Sequence, residues 1–178
     1  MLAESPYKER IAWNKLHIFW GDERAVPFSD DRNNAKMTFD HLLNKVPVNP
    51  EQVHVMRTDI EPEQSALEYQ KMLHTYFGTE GNSFDLVLSG MGDDGHTLSL
   101  FPGTEVIHET KDWVKAFYLT AQQMYRITLT APVVNRASSV VFLTFGANKA
   151  KALYEVLEGE PNADIYPSQI IQPASGKL

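Results

Sequence analysis

The sequence predicts an α/β fold built on a largely parallel sheet, and two observations carry that reading. Short apolar runs of β-branched and aromatic residues alternate with segments whose apolar residues recur at helical spacing. The two most polar, turn-rich stretches each fall directly after an apolar run, where an open α/β sheet places its ligands. The length of 178 residues, with 43% hydrophobic and 22% charged residues, suits one domain over 1–178 with a real core.

Taken in order, residues 16–20 (LHIFW) read as a first strand. Residues 34–46 read as a helix, because Ala35, Phe39, Leu42, Leu43 and Val46 share one face. Residues 53–56 form a short strand. Residues 62–77 form a second helix, with Pro62 in its first turn and Ala66, Tyr69, Leu73 and Phe77 as its stripe. Residues 85–88 read as a buried parallel strand; 113–119, 126–130 and the strongly apolar 140–145 are also strand-like. Residues 148–157 close the pattern as a helix presenting Ala150, Leu153, Tyr154 and Leu157.

The most informative stretch is FDLVLSGMGDDGHTLSLFP, residues 84–102. A strand runs into Gly90, Gly92 and Gly95, which let the chain turn tightly and deliver His96 at the strand's carboxyl end. The G-x-G-x-x-G spacing is not a dinucleotide fingerprint. Asp93 and Asp94 inside it would repel a pyrophosphate, and Glu109, about 20 residues on as the motif requires, follows no strand. The second stretch is WGDERAVP, residues 20–27. Asp22 and Glu23 fit a solvated turn, whereas the guanidinium fork of Arg24 suits phosphate or carboxylate. If the sheet is parallel, both strand ends face one crevice. Arg126, opening RITLT, and Lys149, just after Gly146, are further cations for it.

Composition excludes other classes. The net charge of −7 argues against nonspecific nucleic-acid binding. The absence of cysteine removes disulfides and thiol catalysis. No apolar run approaches membrane length and no signal peptide is visible, so the expected location is cytoplasmic. Asp93, Asp94, His96 and Asp22 make an oxygen-rich set, but no second histidine falls at ligand spacing, and no metal is expected.

In their order along the chain, FWGDERAVP, the helix opened by Asn34, FDLVLSGMGDDGHTLSLFPG, YRITLT with Asn135, GANKAKAL and the final P-x-S-x-I-x-P resemble the 6-phosphogluconolactonases. The resemblance covers nearly the whole chain. It implies a three-layer, Rossmann-like, mostly parallel sheet with helices on both faces, shared with glucosamine-6-phosphate deaminases. It implies hydrolysis of 6-phospho-D-glucono-1,5-lactone to 6-phospho-D-gluconate in the oxidative pentose phosphate pathway, without cofactor or metal. His96 is similar to that family's catalytic histidine, with Asp94 beside it; Arg24, Asn34, Arg126 and Lys149 match its sugar-phosphate ligands. Family members usually begin with a glycine-rich phosphate loop and continue past SGKL, so the domain is expected to be incomplete at both ends.

The chemistry is consistent with the residues themselves. A δ-lactone is an activated ester whose hydrolysis needs a base for water, donors for the oxyanion and a clamp on the distal phosphate. Imidazole, with an ordinary pKa of about 6.5, suits the first role, with Asp94 or Asp22 orienting the ring. Backbone N–H groups from Gly92 to Gly95 are candidates for the second. Ser99 or Thr97 is a competing nucleophile, but no G-x-S-x-G elbow occurs. A glucosamine-6-phosphate deaminase or related aldose-ketose isomerase is the alternative enzyme. That family would place an acidic residue shortly after the histidine, where this chain has Leu98, Ser99, Leu100 and Phe101. A noncatalytic sugar-phosphate-binding domain is the alternative from another class. The oligomeric state stays open between monomer and dimer.

Overall fold

The computed structural model describes all residues, 1–178, and shows an α/β fold with strands paired in both senses and helices packed around them. After a short helix α1 (Tyr7–Arg10), strand β1 (Ile18–Phe19) pairs in parallel with β3 (Val53–His54), Phe19 lying opposite His54. Strand β4 (Val87–Gly90) pairs in parallel with β7 (Val140–Leu143), Gly90 opposite Leu143. Between them in sequence run α2 (Asn34–His41) and α3 (Pro62–Phe77). Pro62 opens α3 where a missing N–H costs nothing, and Gly78 at φ +76° ends it. The fully buried Tyr69 hydroxyl accepts the Trp20 N–H at 2.9 Å and faces the carbonyls of Trp20 and His54, tying β1, β3 and α3 at one point.

The third sheet is antiparallel, a detail the parallel reading did not contain. Strand β2 (Asp22–Arg24) pairs with β6 (Met124–Leu129), which also pairs with β5 (Val114–Leu119). The register sets Asp22 against Thr128, Glu23 against Ile127 and Arg24 against Arg126. The DER stretch is therefore a strand, not the solvated turn expected from its polarity. Helix α2 is also shorter than the 34–46 expected. Pro47 disfavours helical backbone at Val46, so the chain leaves the helix at Leu42 and continues as a 3₁₀ turn that still buries Leu43 and Val46.

The core gathers Leu73 from α3, Ile127 from β6, Val133 from α4 (Ala131–Val134), Val140 from β7 and Leu100 from the segment after β4. Thr97, Ser99 and Leu100 are sealed inside, which anchors the loop carrying His96. Two expectations about burial fail. In β4 only Val87 and Ser89 point inward, while Leu88 is 61% exposed, because one face of the β4–β7 pair is covered and the other open. In α5 (Ala150–Glu158), Ala152 is the buried residue and Leu153, Tyr154 and Leu157 face outward.

Candidate active site

A cleft of about 370 Å³ lies where the ends of β4 and the β2–β6 ladder meet. Asp22, Arg24, Asn34, Gly92, His96, Arg126 and Lys149 all line it; of the proposed site residues, Asp94 and Gly95 do not, and Asp94 is tied to the cleft through its bond to His96.

One wall is the loop after β4. Gly92 has no room for a side chain, since a Cβ there would lie 2.2 Å from His96 Nδ1 and 2.3 Å from Asp94 Oδ1. Gly95 turns the chain at φ +78° and sends His96 back over Gly92. Asp94 Oδ1 lies 2.6 Å from His96 Nδ1 and 3.0 Å from the His96 N–H. Partial burial pushes the Asp94 carboxyl up, but these two hydrogen bonds hold it below the ordinary aspartate value, so it is an acceptor. A carboxylate cannot donate, so Nδ1 is the donor in this pair, and in the neutral ring the lone pair lies on Nε2. Phe101 stacks on the imidazole, with centroids 4.2 Å apart, and fixes its plane. Leu98, at φ +54°, lies in a backbone region that costs a leucine energy and that recurs at functional sites.

This geometry revises the glycines' expected role. The Gly92 N–H donates to the His96 carbonyl at 2.8 Å and the Gly95 N–H to the Gly92 carbonyl at 3.2 Å. Neither is free for an oxyanion. Gly95 lies outside the cleft, packed on Tyr166, and its carbonyl accepts from the Ser168 N–H and hydroxyl. The two glycines shape the loop, and their amides are engaged within it.

The other wall is the β2–β6 ladder. Arg24 and Arg126 stand directly opposite each other, a like-charge pairing that is unfavourable without an anion between or beside them. Arg126 is 3% exposed, and its Nε and Nη1 have no hydrogen-bond partner; Nε of Arg24 is also unpaired. Burial, reinforced by the neighbouring Arg24, lowers the pKa of Arg126 against the opposing pull of Asp22 and Glu23. Arg126 holds one hydrogen bond, from Nη2 to Gln122, and lies 5.5 Å over the Phe101 ring. Buried guanidinium hydrogens without acceptors are rare enough to mark a ligand position.

Asp22 does not orient the histidine. It accepts the Ser99 hydroxyl at 2.6 Å and lies 3.7 Å from Arg126, which assigns it to the cationic wall. Ser99, fully buried and engaged with Asp22, and Thr97, bonded to Ser89 and the Gly90 carbonyl, are not placed as nucleophiles. The Asn34 amide accepts from Arg24 Nη1 at 2.8 Å and donates to the Asp22 carbonyl at 3.0 Å, so it positions those two residues. Nowhere do three histidine, aspartate or glutamate side chains converge as metal ligands do.

Glu23 is the residue that sequence reasoning misread. It is inaccessible to solvent, and its carboxylate accepts the N–H groups of Arg24, Asn34 and Ala35 at 2.7 to 2.8 Å. Burial pushes its pKa up, and these three bonds offset that only in part. An alternation of outward Asp22, inward Glu23 and outward Arg24 would have signalled it, had DER been recognised as a strand.

The sequence pattern that defines the glucosamine-6-phosphate isomerases/6-phosphogluconolactonase group matches residues 1–178. A Synechocystis protein named 6-phosphogluconolactonase is 39% identical over 176 residues, covering 97% of this chain and 72% of that protein. A Nostoc protein of the same name is 40% identical over 178 residues, with the same shares. Among solved structures, the devB protein superposes with a TM-score of 0.89 at 29% identity, covering 99% of this chain and 74% of that one. No helix is long and apolar enough to cross a membrane.

Proposed function

The chain belongs to the glucosamine-6-phosphate isomerase/6-phosphogluconolactonase family, and on that premise we propose that its cleft hydrolyses 6-phospho-D-glucono-1,5-lactone to 6-phospho-D-gluconate, with His96 as the general base. One observation supports this most: an Asp94-oriented imidazole shares a cleft with two register-paired arginines whose buried hydrogens lack acceptors. A base and a dianion site in one cleft are what a phosphorylated lactone requires.

In the proposed mechanism, His96 Nε2 takes a proton from water as its oxygen bonds to the lactone carbonyl carbon. The resulting imidazolium is stabilised by Asp94 through Nδ1. When the tetrahedral intermediate collapses, the bond to the ring oxygen breaks and that oxygen takes the proton back from His96, opening the ring to a carboxylic acid that releases its remaining proton to water as the carboxylate product. Arg24, Arg126 and Lys149 supply the positive field that holds the phosphate. The N–H groups of Gly92 and Gly95 are engaged within the loop and are not assigned to the developing oxyanion. The partner is a small sugar-phosphate lactone, not a nucleic acid, and the proposed setting is the cytoplasm, which cell fractionation tests.

The deciding assay measures acid release from the lactone above its spontaneous hydrolysis, beside ammonia release from glucosamine 6-phosphate. Lactone turnover is expected. Ammonia release without lactone turnover would move the chain to the deaminase branch of the family.

A further inference from the structure

Glu23 is a buried carboxylate for which the mechanism above has no direct use, and helix α2 does not need it as an ordinary cap. Asn33 already caps that helix, accepting the Lys36 N–H at 2.8 Å. Glu23 instead takes the two preceding amides, Asn34 and Ala35, from a different element, and it adds the N–H of its own neighbour Arg24. A single side chain thus locks β2 to the first turn of α2. The lock has a particular product: Asn34 is held with its carbonyl oxygen on Arg24 Nη1 and its amide nitrogen on the Asp22 carbonyl. Arg24 Nη1 also bonds the Arg32 carbonyl at 3.0 Å. With Nη1 held by those two acceptors, the guanidinium is fixed in one orientation beside the cleft, its Nε unpaired.

We infer that Glu23 is a positioning residue for anion recognition, acting through Asn34 to set the guanidinium of Arg24 beside Arg126. The inference rests on reading the cleft as the site of a phosphorylated substrate. It separates the two walls: Glu23 governs how tightly the phosphate is held, while the rate of the chemical step stays with the His96 loop.

The test compares wild type, E23Q, N34A and the double variant for kcat, KM and the Kd of 6-phosphogluconate. In E23Q the amide oxygen still accepts two N–H groups, but the amide nitrogen presents hydrogens to the Ala35 N–H. Each single variant should raise KM and Kd about 10-fold with kcat kept within about 3-fold, the size of one charged hydrogen bond misaligned. The double variant should be no worse than either single one, within about 2-fold, because the two residues act in series. Additive losses, or a lowered Tm with unchanged KM, would overturn the inference. If E23Q does not fold, N34A decides alone, since an unchanged KM there breaks the route through Arg24. If the wild type shows no lactone turnover, the assigned activity fails. Calorimetry with inorganic phosphate then still tests Glu23: weaker binding to E23Q supports it and equal binding refutes it.

Discussion

The two walls of the cleft are built on opposite principles. The His96 loop is assembled from neighbours in sequence: Asp94 bonds a ring two residues away, Gly92 gives that ring its space, and Gly95 supplies the left-handed turn. The β2–β6 wall is assembled from partners far apart, with Arg24 opposite Arg126, Ser99 on Asp22 across 77 residues, and Glu23 on an amide eleven residues away. The base is thus a local device and the anion site a product of register. A change in the loop should alter turnover with binding kept, and a change in the ladder should do the reverse.

The sharpest way to break that contrast is His96→Ala, which should lower kcat by about 10²- to 10⁴-fold while leaving 6-phosphogluconate affinity near wild type. Near wild-type turnover, measured against spontaneous hydrolysis, would mean that another group activates water. On the opposite wall, Arg126→Met keeps the length and apolar contact of the stem and removes the unpaired hydrogens. It should weaken 6-phosphogluconate binding roughly 10- to 100-fold, from the loss of about 1.5 to 3 kcal/mol in charged hydrogen bonds, with gluconate affinity unchanged. Equal weakening for both ligands would detach the cation from the phosphate.

Gly92→Ala sharpens the comparison from the loop side. The added methyl falls inside the contact distance of both His96 and Asp94, so the pair must part, and kcat should fall about 10-fold with product affinity kept. Retained kcat in a folded G92A protein would show that the Asp94–His96 bond is dispensable.

The smallest effect is in stability. Asp94 has a folded-state pKa below its ordinary value, so its contribution is fully present above about pH 4 and drains away as pH falls through the lower, folded value. Thermal melts of wild type and D94N should therefore differ most near neutral pH and converge under acid. A gap that widens as pH falls would reverse the assigned sign of the shift.

The legible part of this protein is the part whose causes are local. The helix over residues 62–77 could be read because proline, glycine and a helical stripe all act within one turn of where they stand. The GMGDDGH loop could be read as a device for delivering a histidine because glycine spacing and an aspartate two residues off are visible along the chain. The WGDERAVP stretch was legible only as chemistry. Its charges suggest a ligand, but polarity by itself cannot tell a solvated turn from a strand with its central carboxylate buried.

By itself, the sequence determined the α/β class, the family's blocks and the histidine with its neighbouring acid. Tertiary structure alone decided that Glu23 is buried, that Asp22 serves Ser99 and not His96, that the Gly92 and Gly95 amides are occupied, and that Arg24 meets Arg126. The physical reason is register. A shift of one residue between β2 and β6 would turn every side chain of β2 to the other face, and nothing within the DER stretch specifies that pairing.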